Sequence, residues 1–443
     1  MTSRSLSQHI KDKLIQQALE RKLKKTTAPT PNDINPLLTS RDADSNQKWT
    51  RFDLFPNYQQ LQIIYKGGAQ LGIASPFFRV HEACAGSTSV INGKAMINYA
   101  SYNYLGLSGD ARVSQAAKQA IDMYGTSVSA SRLVSGERPI HQKLESAIAK
   151  TYGVDDAIVF VSGHATNVST IGYLFGAKDL ILHDELIHNS SLVGAQLSGA
   201  KRLSFPHNDW QALDNLLTAQ RRHYERVLIV IEGLYSMDGD YPNLPKFIEI
   251  KQKHAAFLMV DEAHSFGVMG KTGLGIGEHF AIDSKSVDIW MGTLSKSLAA
   301  CGGYIAGESA LIEHLKFLAP GFLYSVGIAP QVAAPALAAL QILQQEPQRV
   351  ERLQALSAYF LAKATAAGID TGHSQGIAII AAITGSSPSA ARLSHALFER
   401  GINVQPILYP AVPEKNARLR FFISCQHTEP QIDITIQALA QLR

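Results

Sequence analysis

Cysteine is scarce: Cys84, Cys301 and Cys425 are the only three in 443 residues. That excludes a disulfide framework and leads us to expect a reducing compartment, the cytoplasm. Charge is modest, at 18%, against 46% apolar residues, a balance that excludes intrinsic disorder. No apolar run approaches the ~20 residues of a membrane helix, and no signal-peptide core opens the chain. No integral membrane segment is therefore expected. What is present is an ordinary globular composition, long enough for two or three lobes around large cores.

The charge is unevenly placed. The whole chain carries +4, but its first 25 residues hold seven basic side chains against two acidic ones, so the remainder is close to neutral. The excess belongs to an N-terminal arm, and no nucleic-acid binding is expected of the body. Leu6, Ile10, Leu14, Ala18 and Leu19 fall near helical spacing in that arm. A Thr/Pro/Asn/Asp/Ser-rich linker follows, to about residue 47. A mitochondrial transit peptide is the competing reading, and Asp12 and Glu20 count against it.

From residue 48 short apolar runs alternate with helical stretches, at 157–161, 180–183, 227–232, 257–260, 287–291 and 304–306. Runs that are apolar throughout suit strands buried on both faces, as in a mostly parallel sheet under helices. After about 330, helices at 332–345 and 353–367 precede strands at 377–384, 404–408 and 418–424 and a last helix beyond Pro430. The expected organisation is an arm and linker (1–47), an N-terminal segment (48–109), a large α/β domain (110–330) and a smaller α+β domain (331–443).

Two motifs mislead. Asp261-Glu262-Ala263-His264 spells a helicase box, but no phosphate loop precedes it, and Gly270-Lys271-Thr272 comes too late and lacks the first glycine. Gly273-x-Gly275-x-Gly277 lacks dinucleotide-fingerprint spacing and reads as a glycine-rich turn.

A carboxylate at the C-terminal end of a buried strand points into the cleft of a doubly wound sheet, and Asp261 occupies such a place with His264 beside it. A further strand leads to Gly292-Thr293-Leu294-Ser295-Lys296-Ser297. An aspartate plus a lysine just past a strand is the pair that a pyridoxal phosphate enzyme needs. The lysine forms the Schiff base, and the aspartate keeps the ring nitrogen protonated. Ser162-Gly163-His164 opens a helix after another strand, where free N–H groups can face a phosphate, with Thr293 and Ser295 as further donors. His188 follows a strand and is placed to stack on an aromatic ring. Glu232 to Gly239 closes another strand with a glycine turn.

The stretches Ser101-x-Asn103-Tyr104-Leu105-Gly106, SGHATN from Ser162, EGxYSMDGD from Glu232, DEAHSxG from Asp261 and GTxSKS from Gly292 resemble the α-oxoamine synthases over roughly residues 70–440. The resemblance implies fold-type I architecture, pyridoxal 5'-phosphate and a homodimer. It also implies decarboxylative condensation of a small amino acid (glycine, alanine or serine) with an acyl thioester. Lys296 would carry the cofactor and move the substrate proton, Asp261 would pair the ring nitrogen, and His264 would meet the phenolic oxygen. His188 would stack over the ring, with Ser236 beside it. The Ser162–Gly163–His164 turn, Thr293 and Ser295 would hold the phosphate. Asn103 and Arg420, the latter in an R-x-R strand, would meet the substrate, Arg420 at its carboxylate. The alternative is another fold-type I enzyme, such as an aminotransferase.

Tyr409-Pro410 resembles the ketobutyrate ligase and aminolevulinate synthase branches. Ala130-Ser131-Arg132 departs from the succinyl-binding pattern of the latter. Val326-Gly327 lacks the hydroxyls with which other members reach the partner subunit's phosphate. The stretch 127–141, with His207-Asn208-Asp209-Trp210, resembles members serving polyketide or fatty-acid-type assembly lines. That suggests an acyl carrier protein as thioester donor beside acyl-CoA, with the basic arm steering an acidic carrier.

Overall fold

The computed structural model describes residues 48–70 and 72–443, so the arm and linker of residues 1–47 lie outside the described residues. The chain divides into a unit ending at Gly72 and a second, compact unit from Ile73 to Arg443. The described part of the first holds two 3-10 turns and the helix Pro56–Gln70.

The second unit opens with a hairpin, β1 (Thr88–Ile91) and β2 (Lys94–Asn98). A seven-stranded sheet follows: β3 (Asp156–Phe160), β4 (Leu180–Asp184), β5 (Lys201–Phe205), β6 (Val227–Glu232), β7 (Phe257–Asp261), β8 (Ile289–Thr293) and β9 (Gly303–Gly307). Its spatial order is β3-β9-β8-β7-β6-β4-β5. The neighbours from β8 to β5 pair in parallel, and β9 alone runs against both its neighbours.

Alternate residues of these strands feed two separate cores. Val159, Leu182, Ile229, Val260 and Trp290 join the core under one helical layer, and Ile158, Ile181, Val230, Met259 and Met291 join the other. Burial on both faces explains the unbroken apolar runs. Strand β5 breaks the rule: at the sheet edge it exposes Lys201, Arg202 and Ser204, which hides it from an apolar-run search.

β10 (Ile379–Ile383), β12 (Gln405–Ile407) and β13 (Arg418–Phe422) make an antiparallel three-stranded sheet in the order β10-β13-β12, while β11 (Ile402–Asn403) pairs in parallel with β2. The chain's early hairpin is thus stitched to its late strands. The helices Pro330–Gln345, Gln348–Ala366 and Glu429–Leu442 lie near the sequence expectation.

Candidate functional site

The C-terminal ends of five strands converge on one cleft, where ligands bind in open α/β sheets. β3 leads into Ser162, β4 ends at Asp184, β6 at Glu232, β7 at Asp261 and β8 at Thr293.

The anion-binding corner is built at the start of the helix Gly163–Leu174. Ser162 is its N-cap and accepts from the Ala165 N–H. The Gly163 and His164 N–H groups remain for a ligand, as first-turn amides do. Thr293 Oγ1 donates to the Gly302 carbonyl at 2.9 Å, and Ser295 Oγ lies 3.3 Å from the same oxygen. Backbones here approach too closely for side chains: a Cβ on Gly303 would sit 2.4 Å from Thr166 Oγ1 and 2.7 Å from Gly163 Cα. The glycines therefore keep side chains out of a corner lined by the Gly163 and His164 N–H groups, with the Thr293 and Ser295 hydroxyls beside it, turned in this structure to the Gly302 carbonyl.

Lys296 follows on the same loop. Burial lowers its ammonium to about 8, against the opposing pull of Asp261 and Glu232, and Arg420 lowers it further. Tyr102 presents its ring 5.5 Å from the lysine Nζ. Such an amine is neutral in about a tenth of molecules at pH 7, far more than an ordinary lysine, and that fraction can attack an aldehyde.

Asp261 Oδ2 accepts from Asn167 Nδ2 at 2.9 Å and Oδ1 from the Ala263 N–H at 2.9 Å. The same Asn167 amide donates to Ser190 Oγ at 2.9 Å, and that hydroxyl lies 2.7 Å from His188 Nδ1. His188, N-cap of the helix Asn189–Ser198, is open to solvent on one side. Partial desolvation in the cleft lowers its pKa, opposed by Asp261. Its ring is neutral and free to lie against a planar group.

His264 is buried, and burial holds its pKa well below the ordinary value, with Lys296 and Arg420 adding to the effect. Its Nδ1 is 2.8 Å from the hydroxyl of buried Tyr104, whose phenol burial keeps protonated. The hydroxyl donates, Nδ1 accepts, and Nε2 carries the ring's N–H toward any acceptor in the cleft.

From the smaller sheet, β13 sends Arg418 and Arg420 toward the loop after β6. Arg418 Nη1 pairs with Asp238 Oδ1 at 2.6 Å. Arg420 Nη1 donates to the Ser236 carbonyl at 2.9 Å, and its guanidinium stacks 4.6 Å from the Phe422 ring centroid. Tyr102 also bonds this guanidinium, so an anion arriving in the cleft would share the fork with it. Asn103, also buried, is occupied locally: Oδ1 accepts from the Ser108 N–H and Nδ2 reaches the Ala85 carbonyl at 3.4 Å.

Sequence reasoning missed Asn167, Tyr104, Tyr102 and Glu232 as members of this site. Glu232 pairs in register with Asp261, is buried, and leaves Oε1 without a partner among the described residues. Burial and the neighbouring Asp261 raise its pKa well above the carboxylate range, and Lys296 opposes them. The misleading motifs resolve into structure. Buried Glu262 accepts the Ile276 N–H at 3.1 Å, and Gly273 and Gly275 turn at φ +88° and +90°.

A phosphate cradle, a softened lysine and a buried carboxylate one strand away fit pyridoxal phosphate. Comparisons with known proteins agree. Residues 94–439 match the aminotransferase class I and II family. The 8-amino-7-oxononanoate synthases of Fervidobacterium nodosum and Symbiobacterium thermophilum are 41% and 40% identical over 81% and 80% of this chain and 91% and 90% of their own. A structure of serine palmitoyltransferase with a pyridoxal phosphate internal aldimine superposes at TM-score 0.84 and 29% identity, over 88% of this chain and 98% of that one. The 8-amino-7-oxononanoate synthase of Francisella tularensis superposes at TM-score 0.68 and 28% identity, over 78% and 97%. The chain belongs to the aminotransferase class I and II family, within the α-oxoamine synthases, as a fold-type I pyridoxal phosphate acyltransferase.

Proposed function

We propose that the protein joins a small amino acid (glycine, alanine or serine) to an acyl thioester, releasing CO2 and the free thiol and leaving an α-amino ketone. The observation that carries this reading is the convergence on one cleft of the β7 end at Asp261, the loop after β8 that bears buried Lys296, and Arg420 from β13, which reaches the Ser236 carbonyl. Bound pyridoxal phosphate supplies an electron sink for the charge left at the substrate Cα. The cradle from Ser162 to His164, with Thr293 and Ser295, holds its phosphate. Asp261 provides the carboxylate that keeps the ring nitrogen protonated, and Asn167 orients that carboxylate. His264 would meet the phenolic oxygen, His188 would stack over the ring, and Ser236 would lie beside it. Arg420 would take the amino-acid carboxylate, with Asn103 nearby. Lys296 Nζ removes the Cα proton and later returns one.

The amino acid is open to test. The product name of the curated relatives places an amine on the carbon next to a terminal methyl. Alanine supplies that unit after loss of its carboxyl, so it is the first candidate; the palmitoyltransferase neighbours make serine the second. The thioester is carried by an acyl carrier protein or by CoA, and the basic first 25 residues favour the acidic carrier. Two copies form the working enzyme. Exposed Tyr324, Val134 and Val326 are the kind of apolar surface that a partner covers. Three free cysteines, two of them exposed, suit the cytoplasm.

Visible absorbance of the purified, cofactor-loaded protein tests the reading. One amino acid of the three should perturb the lysine-bound chromophore, and CO2 should appear only when thioester follows. Amino transfer to a keto acid without CO2 would move the protein to the aminotransferases. No chromophore on adding pyridoxal phosphate would overturn the role of Lys296. Removing residues 1–47 should slow carrier-bound but not CoA-bound turnover; unchanged rates with both would dissociate the arm from the carrier.

A further inference from the structure

The loop that carries His188 and the loop that carries Ser236 start from neighbouring strands, β4 and β6, and a third loop ties them together. Past the edge strand β5, the half-buried His207 lies between two buried carboxylates. Its Nδ1 is 2.9 Å from Asp184 Oδ1, and its Nε2 is 2.8 Å from Asp240 Oδ2. Asp184 is the last residue of β4, four positions before His188, and Asp240 closes the turn that contains Ser236.

Neighbouring groups reinforce the joint. The Asn208 N–H donates to Asp184 Oδ2 at 2.8 Å, and its side-chain amide donates to Asp240 Oδ2 at 3.0 Å. The Leu186 N–H also donates to Asp184 Oδ1 at 2.8 Å, which fixes the start of the His188 loop. On the other side, the Tyr235 N–H donates to the Asp240 carbonyl at 2.8 Å, next to Ser236. The Tyr235 ring meets the imidazole edge-on, with centroids 4.5 Å apart.

We propose that His207 is a positioning residue, which by bridging Asp184 and Asp240 holds the His188 and Ser236 loops at the separation that pyridoxal phosphate needs. A neutral imidazole has one N–H and can donate to one carboxylate only; a bridge to two requires both nitrogens protonated. The two carboxylates outweigh the cost of burial and raise the ring to about 10. The titratable groups facing it are Asp184 and Asp240 from the two loops, Tyr235 from the β6 side, and Glu185, whose carboxylate accepts the His207 N–H. Tyr235 is pushed well above its ordinary value by burial and does not compete for the proton.

With its pKa raised to about 10, His207 keeps the bridge at neutral pH and loses it as pH rises through about 10, while the stability the bridge adds is full only below the ordinary histidine range. The inference concerns cofactor binding and stands whichever amino acid or thioester is used.

The test is the affinity of the full chain for pyridoxal phosphate, measured by absorbance against pH in wild type, H207Q and H207A. Nitrogen NMR of histidine-labelled wild type is recorded alongside. We expect both His207 nitrogens to carry protons at neutral pH. We expect cofactor affinity roughly tenfold or more weaker in H207A, with H207Q, which keeps one donor, between the two. We expect wild-type affinity to fall as pH passes about 10, with that component missing from H207Q. Cofactor affinity within about twofold of wild type in both variants, even with a lower melting temperature, would reduce His207 to a structural role. If H207A fails to fold, H207Q and the wild-type spectrum decide: one bare ring nitrogen at neutral pH, or identical pH profiles, would overturn the proposal.

Discussion

The side-chain nitrogen of Asn167 sits 2.9 Å from Asp261 Oδ2, across 94 residues of sequence. Through Ser190 the same amide is also linked to His188. The carboxylate proposed for the ring nitrogen and the imidazole proposed to stack over the ring are therefore held by one side chain. Asn167→Leu removes both bonds with little change in size. Lost hydrogen bonds to a charged group are each worth about 1.5–3 kcal/mol, so kcat/KM should fall roughly ten- to hundredfold. Steady-state kinetics under saturating pyridoxal phosphate check this; an unchanged value would detach Asn167 from the site.

Lys296 sets a pH dependence. Its folded value, about 8, lies below the ordinary lysine value. The neutral amine attacks the cofactor aldehyde, so the rate at which apoprotein takes up pyridoxal phosphate should climb with pH and level off above about 8. Stopped-flow absorbance reads the rate directly. Lys296→Ala should show no lysine-bound chromophore at any pH.

Tyr104 to His264 is a buried pair, 2.8 Å apart. Tyr104→Phe leaves Nδ1 without its donor. The cost should be about 1–3 kcal/mol of stability, seen in urea unfolding, and the freed ring should switch tautomer. Histidine NMR distinguishes that switch from a simple loss of packing.

Arg420 donates to the Ser236 carbonyl and also bonds Tyr102. Arg420→Lys keeps the charge but loses the fork. The amino-acid KM should rise by roughly tenfold or more, with a smaller change in kcat. Equal losses in kcat and kcat/KM would place its role at the transition state instead.

Arg132 pairs with Glu145 inside the protein, Nη2 to Oε2 at 2.9 Å, and also with Glu137. Both Arg132 and Glu145 are buried. Arg132→Met strands the Glu145 carboxylate and should cost about 3–5 kcal/mol. Replacing Glu145 with Gln at the same time should recover part of that loss, a cycle that equilibrium unfolding can close.

The strands buried on both faces were legible because they are apolar until their last one or two residues, as in β4 before His183 and β6 before Glu232. The edge strand β5 was not, because its exposed positions carry polar residues, nor was the hairpin β1–β2, whose buried positions include polar Ser89 and Asn98. The position of Asp261, Lys296 and the Ser162–His164 turn at strand ends was legible from order and spacing, and the family resemblance suggested their roles. Asn167, Tyr104 and His207 could not be assigned roles. Their partners lie 94, 160 and 23 to 33 residues away, and only the folded chain says which carboxylate or imidazole each one meets. The pairing of β11 with β2, from opposite ends of the second unit, has no local signal either.

Around most of the cleft the strand ends run out into helical crossovers. Lys296 differs: β8 returns at once as β9, and Thr293 pairs with Gly303 across the hairpin. Nine residues separate the two, and both ends are pinned in the middle of the sheet. Backbone bonds from the Leu294 N–H to the Gly302 carbonyl, from Ala300 to Leu294 and from Ala299 to Lys296 fold the connection tightly on itself. A one-residue insertion there would swing the lysine out of reach, whereas a longer surface crossover could absorb it. The segment should accordingly be the least tolerant of length change in the molecule, and the poorest place to open the chain for circular permutation or domain grafting.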